Sequence, residues 1–462
     1  MDQAATKPLH YRTQQMRGDA ANLQADISRG VSFVPALGFG LLICFLLMIF
    51  SRVFDMYFIS YHIPGICERI MAAVVIVSGS FWRPFHTGIG KTLLFLTAWM
   101  VIGVPFSAWK SDSLSILTSA WWPCLIVFMA VGGMIKEFKQ YCVIAWILAV
   151  SILVLSIFCL RYGTIDNGRL WMSNESRFAN PNDMAQAMLI GIPFWLAISK
   201  RSASLAGKLA ALGVLVVMVY VIAQTGSRGA LLSFAALFVA MLLRASAKGK
   251  AKLLLAGGLC FGAALGFLPG SLQDRYKTLF SEDKPEMETA GEDLMLDSAF
   301  SSTASRQHLL DQSLILTATH PIFGVGIGQF MVAENALAIS QGARRGSWLG
   351  THNTYTQVAS ETGLPGALLF IAVFFLSMKT THSLYQATKG EAELKAVAIQ
   401  AEALFFSLIC LATTDIFIHV AYTMLLPVLA GLAISLEYTS RPLIAEIQRR
   451  KAELPLPLPA IR

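Results

Sequence analysis

The stretch "SFVPALGFGLLICFLLMIF" (32–50) runs 19 residues without a charge, and blocks of this kind recur along the chain. About 20 apolar residues cross the roughly 30 Å of hydrocarbon in a bilayer, and a helix satisfies its own backbone polar groups there. Such blocks fold as bundled membrane helices and exclude an ordinary soluble domain. Of 462 residues only 14% are charged, against about 25% in a soluble domain. The sequence predicts an all-α, polytopic membrane protein.

Twelve spans are expected, at about 33–50, 66–81, 91–107, 114–132, 139–160, 182–199, 207–223, 227–243, 251–268, 364–381, 396–413 and 415–436. The apolar stretch 53–65 is broken by Pro64-Gly65 and reads as interfacial. The first apolar block is too long for the core of a cleavable signal, so the first span reads as an uncleaved start signal. Seven cysteines, an odd number without a CxxC, lie in or beside the apolar blocks. They read as small buried hydrophobes, not as a disulfide framework or metal site.

Lysine and arginine choose the orientation. With both termini cytoplasmic, 23 of the 36 basic residues fall inside, and "RASAKGKAK" (244–252) is the clearest stop signal. That distribution accounts for the net charge of +8 without nucleic acid. The outward set holds ten arginines against three lysines. A guanidinium binds phosphate or carboxylate through a planar fork, so this bias hints at an anionic ligand, with snorkelling arginines as the plain alternative. The expected organisation is a cytoplasmic tail (1–32), nine spans (33–268), a periplasmic loop (269–363), three spans (364–436) and a second cytoplasmic tail (437–462). In the loop, 281–305 is acidic and reads as a solvated excursion, while 306–350 shows helical periodicity and then a Gly-rich turn. "LPLPLPA" near the end reads as a polyproline-like tail.

No phosphate-binding GxxxxGK[ST], no HExxH and no D-x-D occurs, which weakens metal-dependent sugar-nucleotide chemistry. Polar groups gather instead at the outward membrane boundary. Arg228 sits in "QTGSRGALL" between two spans, where it either meets water or an anion or reaches the headgroups. "RFANPNDMAQAM" (177–188) opens the sixth span, with Asn182 or Asp183 as cap and a helix N-terminus suited to an anion. Arg306 begins the helical part of the loop. His352 and Asn353 stand in "THNTYTQVASETGLPG", with Glu361 downstream; a histidine titrates near neutral pH and can accept a proton. His308 and His320 are weaker rivals. Asp415 and His419, four apart, are expected on one helical face at the start of the last span, as functional groups or as a packing pair.

The ordered set "RFANPNDMAQAM", "TGSRGALL", "SRQHLLDQSLILTATHPIFGVGIGQF" and "THNTYTQVASETGLPGALLF" resembles the O-antigen ligase and polymerase superfamily of bacterial envelope glycosyltransferases. The resemblance runs from about residue 160 to 436. It implies a bundle of about a dozen spans roofed by a helical periplasmic loop. It implies transfer of a glycan from undecaprenyl diphosphate to an acceptor hydroxyl, on a lipid A–core sugar in ligases or on another lipid-linked repeat in polymerases. By their places in these motifs, His352 matches the base, and Arg306, Arg228 and, more weakly, Arg177 match diphosphate-binding arginines. Asn353, Glu361, Asp183 and Asp415 are expected to support them. Departing diphosphate needs fixed positive donors more than a general acid, so the expectation is metal-free, cofactor-free, inverting transfer at the periplasmic face of the inner membrane. A protein O-oligosaccharyltransferase and a transporter are the lesser alternatives; the inverted repeats of a transporter are not evident.

Overall fold

The computed structural model describes residues 36–52, 63–166, 168–172, 180–267, 269–277 and 290–453. The expected N-terminal tail, most of the interfacial stretch, the first part of the acidic excursion and the polyproline-like segment lie outside these residues, whereas residues 437–453 of the expected C-terminal tail are described and helical. The described chain is almost entirely helical: α1 (Ala36–Ser51), α2 (Ile63–Val77), α3 (Trp82–Phe85), α4 (Gly88–Gly103), α5 (Lys110–Ile116), α6 (Trp122–Met134), α7 (Phe138–Tyr162), α8 (Pro181–Arg201), α9 (Leu205–Gln224) and α10 (Arg228–Arg244). There follow α11 (Ala247–Phe267), α12 (Gly270–Lys277), α13 (Ala290–Thr319), α14 (Phe330–Ser340), α15 (Thr354–Thr388), α16 (Lys395–Thr414) and α17 (Leu425–Glu453). A hairpin pairs β1 (Thr164–Asp166) with β2 (Arg169–Trp171), Ile165 opposite Leu170.

Short polar residues set the helix starts. Asn180, Ser204, Ser227 and Asn353 cap α8, α9, α10 and α15 by accepting free backbone amides of the first turn, and Glu137 with Gln140 forms a capping box on α7. The cap of α8 is therefore Asn180 and not Asn182 or Asp183. Pro181 follows at the first helical position, where its missing N–H costs nothing. Arg83 closes the far end of α6 by donating to the carbonyls of Gly132 and Ile135 at 2.6–2.9 Å.

Among the described residues six helices are long and apolar enough to cross a membrane: Gly88–Phe106, Lys110–Met134, Phe138–Tyr162, Leu205–Gln224, Thr354–Thr388 and Lys395–Thr414. With their long apolar faces they make this an all-α membrane protein. Helices also occupy the other expected positions, where length or hydropathy falls short of that measure. α16 lies at the centre, packed on α8, α10, α15 and α17, while α6 packs on α17 and α4 on α15. Two expectations need correction. α13 begins at Ala290, so the second half of the acidic stretch is helical. The last helix starts at Leu425, and residues 415–424 are not helical.

The loop helices are tied to the bundle at a kink in α15. Gly363 breaks its helical dihedrals at φ +71°. A Cβ there would stand 2.1 Å from the Ile322 carbonyl oxygen. The Gly-rich turn after α13 fits into this kink: Val325 and Gly326 donate to the Ser360 and Glu361 carbonyls at 2.8 and 2.9 Å, and Leu364 donates back to Pro321 at 2.8 Å. The buried Glu361 carboxylate accepts from Gly328 N at 2.9 Å, Phe330 N at 3.2 Å and the Tyr422 hydroxyl at 2.6 Å. Gly324, Gly326 and Gly328 all have positive φ, a conformation open to glycine at no steric cost. Glu361 thus holds the turn that carries α13 over the bundle.

Gly363→Ala introduces both a strained φ and a backbone clash. It is expected to destabilise the fold by about 2 kcal/mol or more, read as a lowered unfolding temperature in detergent. Gly213→Ala, with nothing near its Cβ position, should leave that temperature unchanged or slightly raised.

Candidate active site

His352 immediately precedes Asn353, the N-cap of α15, and has φ +51°. Few non-glycine residues adopt this left-handed backbone, though histidine does so more readily than most, and surrounding bonds must hold it. On one side the buried Thr351 hydroxyl donates to the Asn353 carbonyl at 2.8 Å. On the other, the Asn353 side chain accepts from Tyr355 N and Thr356 N at 2.9 and 3.1 Å. Asn353 is thus the helix cap that fixes the turn presenting its neighbour. Nδ1 of His352 is buried without a hydrogen-bond partner in the described structure.

The non-helical segment 415–424 packs on this turn. Thr354 N donates to the Asp415 carbonyl at 2.8 Å. The Thr354 hydroxyl donates to Ile418 O at 2.8 Å and accepts from Val420 N at 3.1 Å. His419, between those two residues, stands edge-to-face with His352, ring centroids 5.1 Å apart at 84°. Gly350 makes room: a Cβ there would come 2.4 Å from His419 Nε2. Phe417 of the same segment lies against the start of α10, where a Cβ on Gly229 would be 2.6 Å from its own Cβ.

Arg228 is the first residue of α10. Ser227 caps the helix and Gly226 turns into it at φ +57°. The positive end of a helix dipole disfavours a cation and draws an anion, so this arginine and its helix end attract the same kind of ligand. Arg306, on α13, is half-buried. Burial first, and then the positive charge of Arg228, pushes its guanidinium below the usual pKa. No carboxylate among the described residues acts on it. Burial, then His419, then Arg306 push His352 down to about 4. Burial and Arg306 also lower His419. Arg306 thus stands within electrostatic reach of Arg228 on one side and of His352 and His419 on the other.

Residues 213–371 match the family model described as O-antigen ligase. That match, confined to part of the chain, supports the O-antigen ligase and polymerase superfamily. It takes in Arg228, Arg306 and His352, and the family implies a glycosyltransferase of ligase or polymerase type acting on lipid-linked glycans. No curated protein matches the chain.

The other predicted residues fall around Arg228, Arg306, His352 and His419 or outside the described residues. Arg177 lies outside the described residues. Asp183, in the first turn of α8, lies under the charge of Arg52. Asp415 is buried, and its Oδ1 accepts from Gln186 Nε2 at 2.7 Å. Because 415–424 is not helical, Asp415 and His419 do not share a helical face: the carboxylate turns to α8 and the imidazole to His352. Glu361 supports the loop, as described above. His308 lies 3.9 Å from buried Glu334, and His320 contacts the Thr319 hydroxyl. Sequence reasoning missed Gln186, a buried amide that also donates to Thr414 Oγ1 at 2.9 Å. Its signal was available, a lone amide in an otherwise apolar helix, where polar groups rarely stand idle. It also missed Arg169, which donates to the Thr225 carbonyl at 2.8 Å and to Asn182 Oδ1 at 3.2 Å, and so fastens the Arg228 turn to α8. Among the described residues no three His, Cys, Asp or Glu side chains gather as a metal site.

His352 carries a pH signature. Its folded pKa lies below the unfolded value of about 6.5, so between the two the unfolded chain binds the extra proton and stability rises with pH. The unfolding temperature should fall as pH drops from about 6.5 through about 4. His352→Gln should flatten that fall; an unchanged slope would mean that the imidazole does not titrate as placed.

Proposed function

We propose that this protein transfers a glycan from undecaprenyl diphosphate to an acceptor hydroxyl at the periplasmic face of the bacterial inner membrane, as an O-antigen ligase acting on lipid A–core. The observation that carries the reading is the placement of Arg306 within charge reach of both Arg228 and His352, with no carboxylate among the described residues acting on Arg306. Two guanidiniums in a partly buried setting form a strong electrostatic trap for a diphosphate. A neutral imidazole beside them is in the form that accepts a proton.

The steps balance without a further reactant. His352 takes the proton of the acceptor hydroxyl. The hydroxyl oxygen forms a bond to the anomeric carbon as the bond from that carbon to the diphosphate oxygen breaks. The electron pair leaves with undecaprenyl diphosphate, whose growing negative charge is met by Arg306 and Arg228. Attack in line with the departing group inverts the anomeric centre. Donor binding also prepares the base. A dianionic diphosphate between His352 and the arginines offsets the charge that holds the imidazole down, and so raises its pKa toward the range where a general base is effective.

Transfer from purified undecaprenyl-diphosphate glycan to lipid A–core tests the reading. His352→Ala is expected to lose about 10²–10⁴-fold in rate and Arg306→Ala about 10²–10³-fold, with Arg306→Lys intermediate. Added EDTA should change nothing. Full activity in His352→Ala, loss on EDTA, or a retained anomeric configuration would each contradict part of the scheme, and longer lipid-linked chains in place of lipid A–core product would assign a polymerase.

A further inference from the structure

A catalytic imidazole needs its ring held in one orientation, and the usual device is a hydrogen bond from Nδ1 to a carboxylate or carbonyl behind it. His352 lacks that device among the described residues, since its Nδ1 is buried and unpartnered. The nearby carboxylate Asp415 is bonded to Gln186 instead. What touches the ring is His419, edge-to-face at 5.1 Å. Its own placement is constrained from three sides. The Thr354 hydroxyl bonds to the residues before and after it, and Gly350 leaves the slot its ring fills. Thr354 belongs to the first turn of the helix that His352 precedes, so one hydroxyl couples the two rings.

We propose that His419 is a positioning residue for His352, fixing by ring packing the orientation of a base that has no hydrogen-bonded partner behind it. The inference rests on His352 being the base. The ring's shape, and not its nitrogens, does the positioning, so a phenyl ring substitutes for it and a methyl group does not. The charged and titratable groups around the pair are Arg306 from α13, which acts on both rings, Arg228 from α10, which acts on Arg306, and Asp415, turned to α8.

The full-length protein in nanodiscs, assayed for glycan transfer with thermal unfolding as a check on folding, decides the matter. His419→Ala is expected to lower kcat about 10- to 100-fold, the loss that a small misplacement of a reacting group produces, with the donor KM within about twofold. His419→Phe should recover most of kcat. Gly350→Ala, which drives a Cβ into the His419 ring, should reproduce the His419→Ala loss. The acid limb of kcat/KM should rise in His419→Ala, because a neighbour that opposes protonation of His352 is gone; loss of stability alone would not move it. Wild-type kcat in His419→Ala overturns the inference, and so does a folded His419→Phe as inactive as His419→Ala, which would make the nitrogens themselves the working atoms. Should His419→Ala fail to fold, His419→Gln is read in its place: lowered kcat supports the inference and wild-type kcat overturns it. Activity in His352→Ala would remove the base itself, an outcome distinct from any result at His419.

Discussion

Two like charges, Arg228 and Arg306, are held close enough to repel one another in a partly buried pocket. Like charges at short range in a medium of low polarity cost free energy unless something offsets them, and no carboxylate among the described residues acts on Arg306. The fold sustains the arrangement by distributing it: one arginine starts a bundle helix and the other rides on a loop helix. In the proposed reaction a diphosphate held between them offsets that repulsion. Burial first, with Arg306 adding to it, keeps His352 and His419 neutral, which in the proposed reaction couples the two halves of the chemistry.

That coupling depends on a short set of tertiary bonds. Glu361 and Gly363 lock the Gly-rich turn that carries α13 over the bundle. Thr354 locks the 415–424 segment to the turn that bears His352. Both locks sit within ten residues of each other on α15. The loop helices and the bundle therefore meet at one helix end, and a change at either lock reaches the candidate site through backbone position.

Much of this was legible in the chain. The apolar blocks announced the helices, but the one cap expected from the sequence, Asn182 or Asp183, proved to be Asn180. Arg228, Arg306 and His352 stood out because each interrupts apolar or small-residue sequence at a predicted boundary and sits in a recognisable motif. The break at 415–424 was not legible. "DIFIHVAYTM" contains no glycine or proline and is apolar enough to read as membrane helix. It is held out of helix by Thr354 and Gln357, more than 50 residues away in sequence, and no local propensity encodes such bonds. For the same reason Asp415 and His419 were expected to face together, whereas they face apart. Gln186 carried a visible signal, but its partners across the bundle could be identified only from the packing of α8 on α16.

The most direct measurement is the affinity of the nanodisc-embedded protein for a short-chain prenyl diphosphate, compared among wild type, Arg228→Ala, Arg306→Ala and the double variant. Charge-assisted hydrogen bonds contribute about 1.5–3 kcal/mol each, so either single substitution should weaken binding by roughly 10- to 100-fold. A shared ligand should also make the double loss depart from the product of the two. Unchanged affinity on removal of either guanidinium, or losses that multiply as if independent, would contradict a single diphosphate held by both.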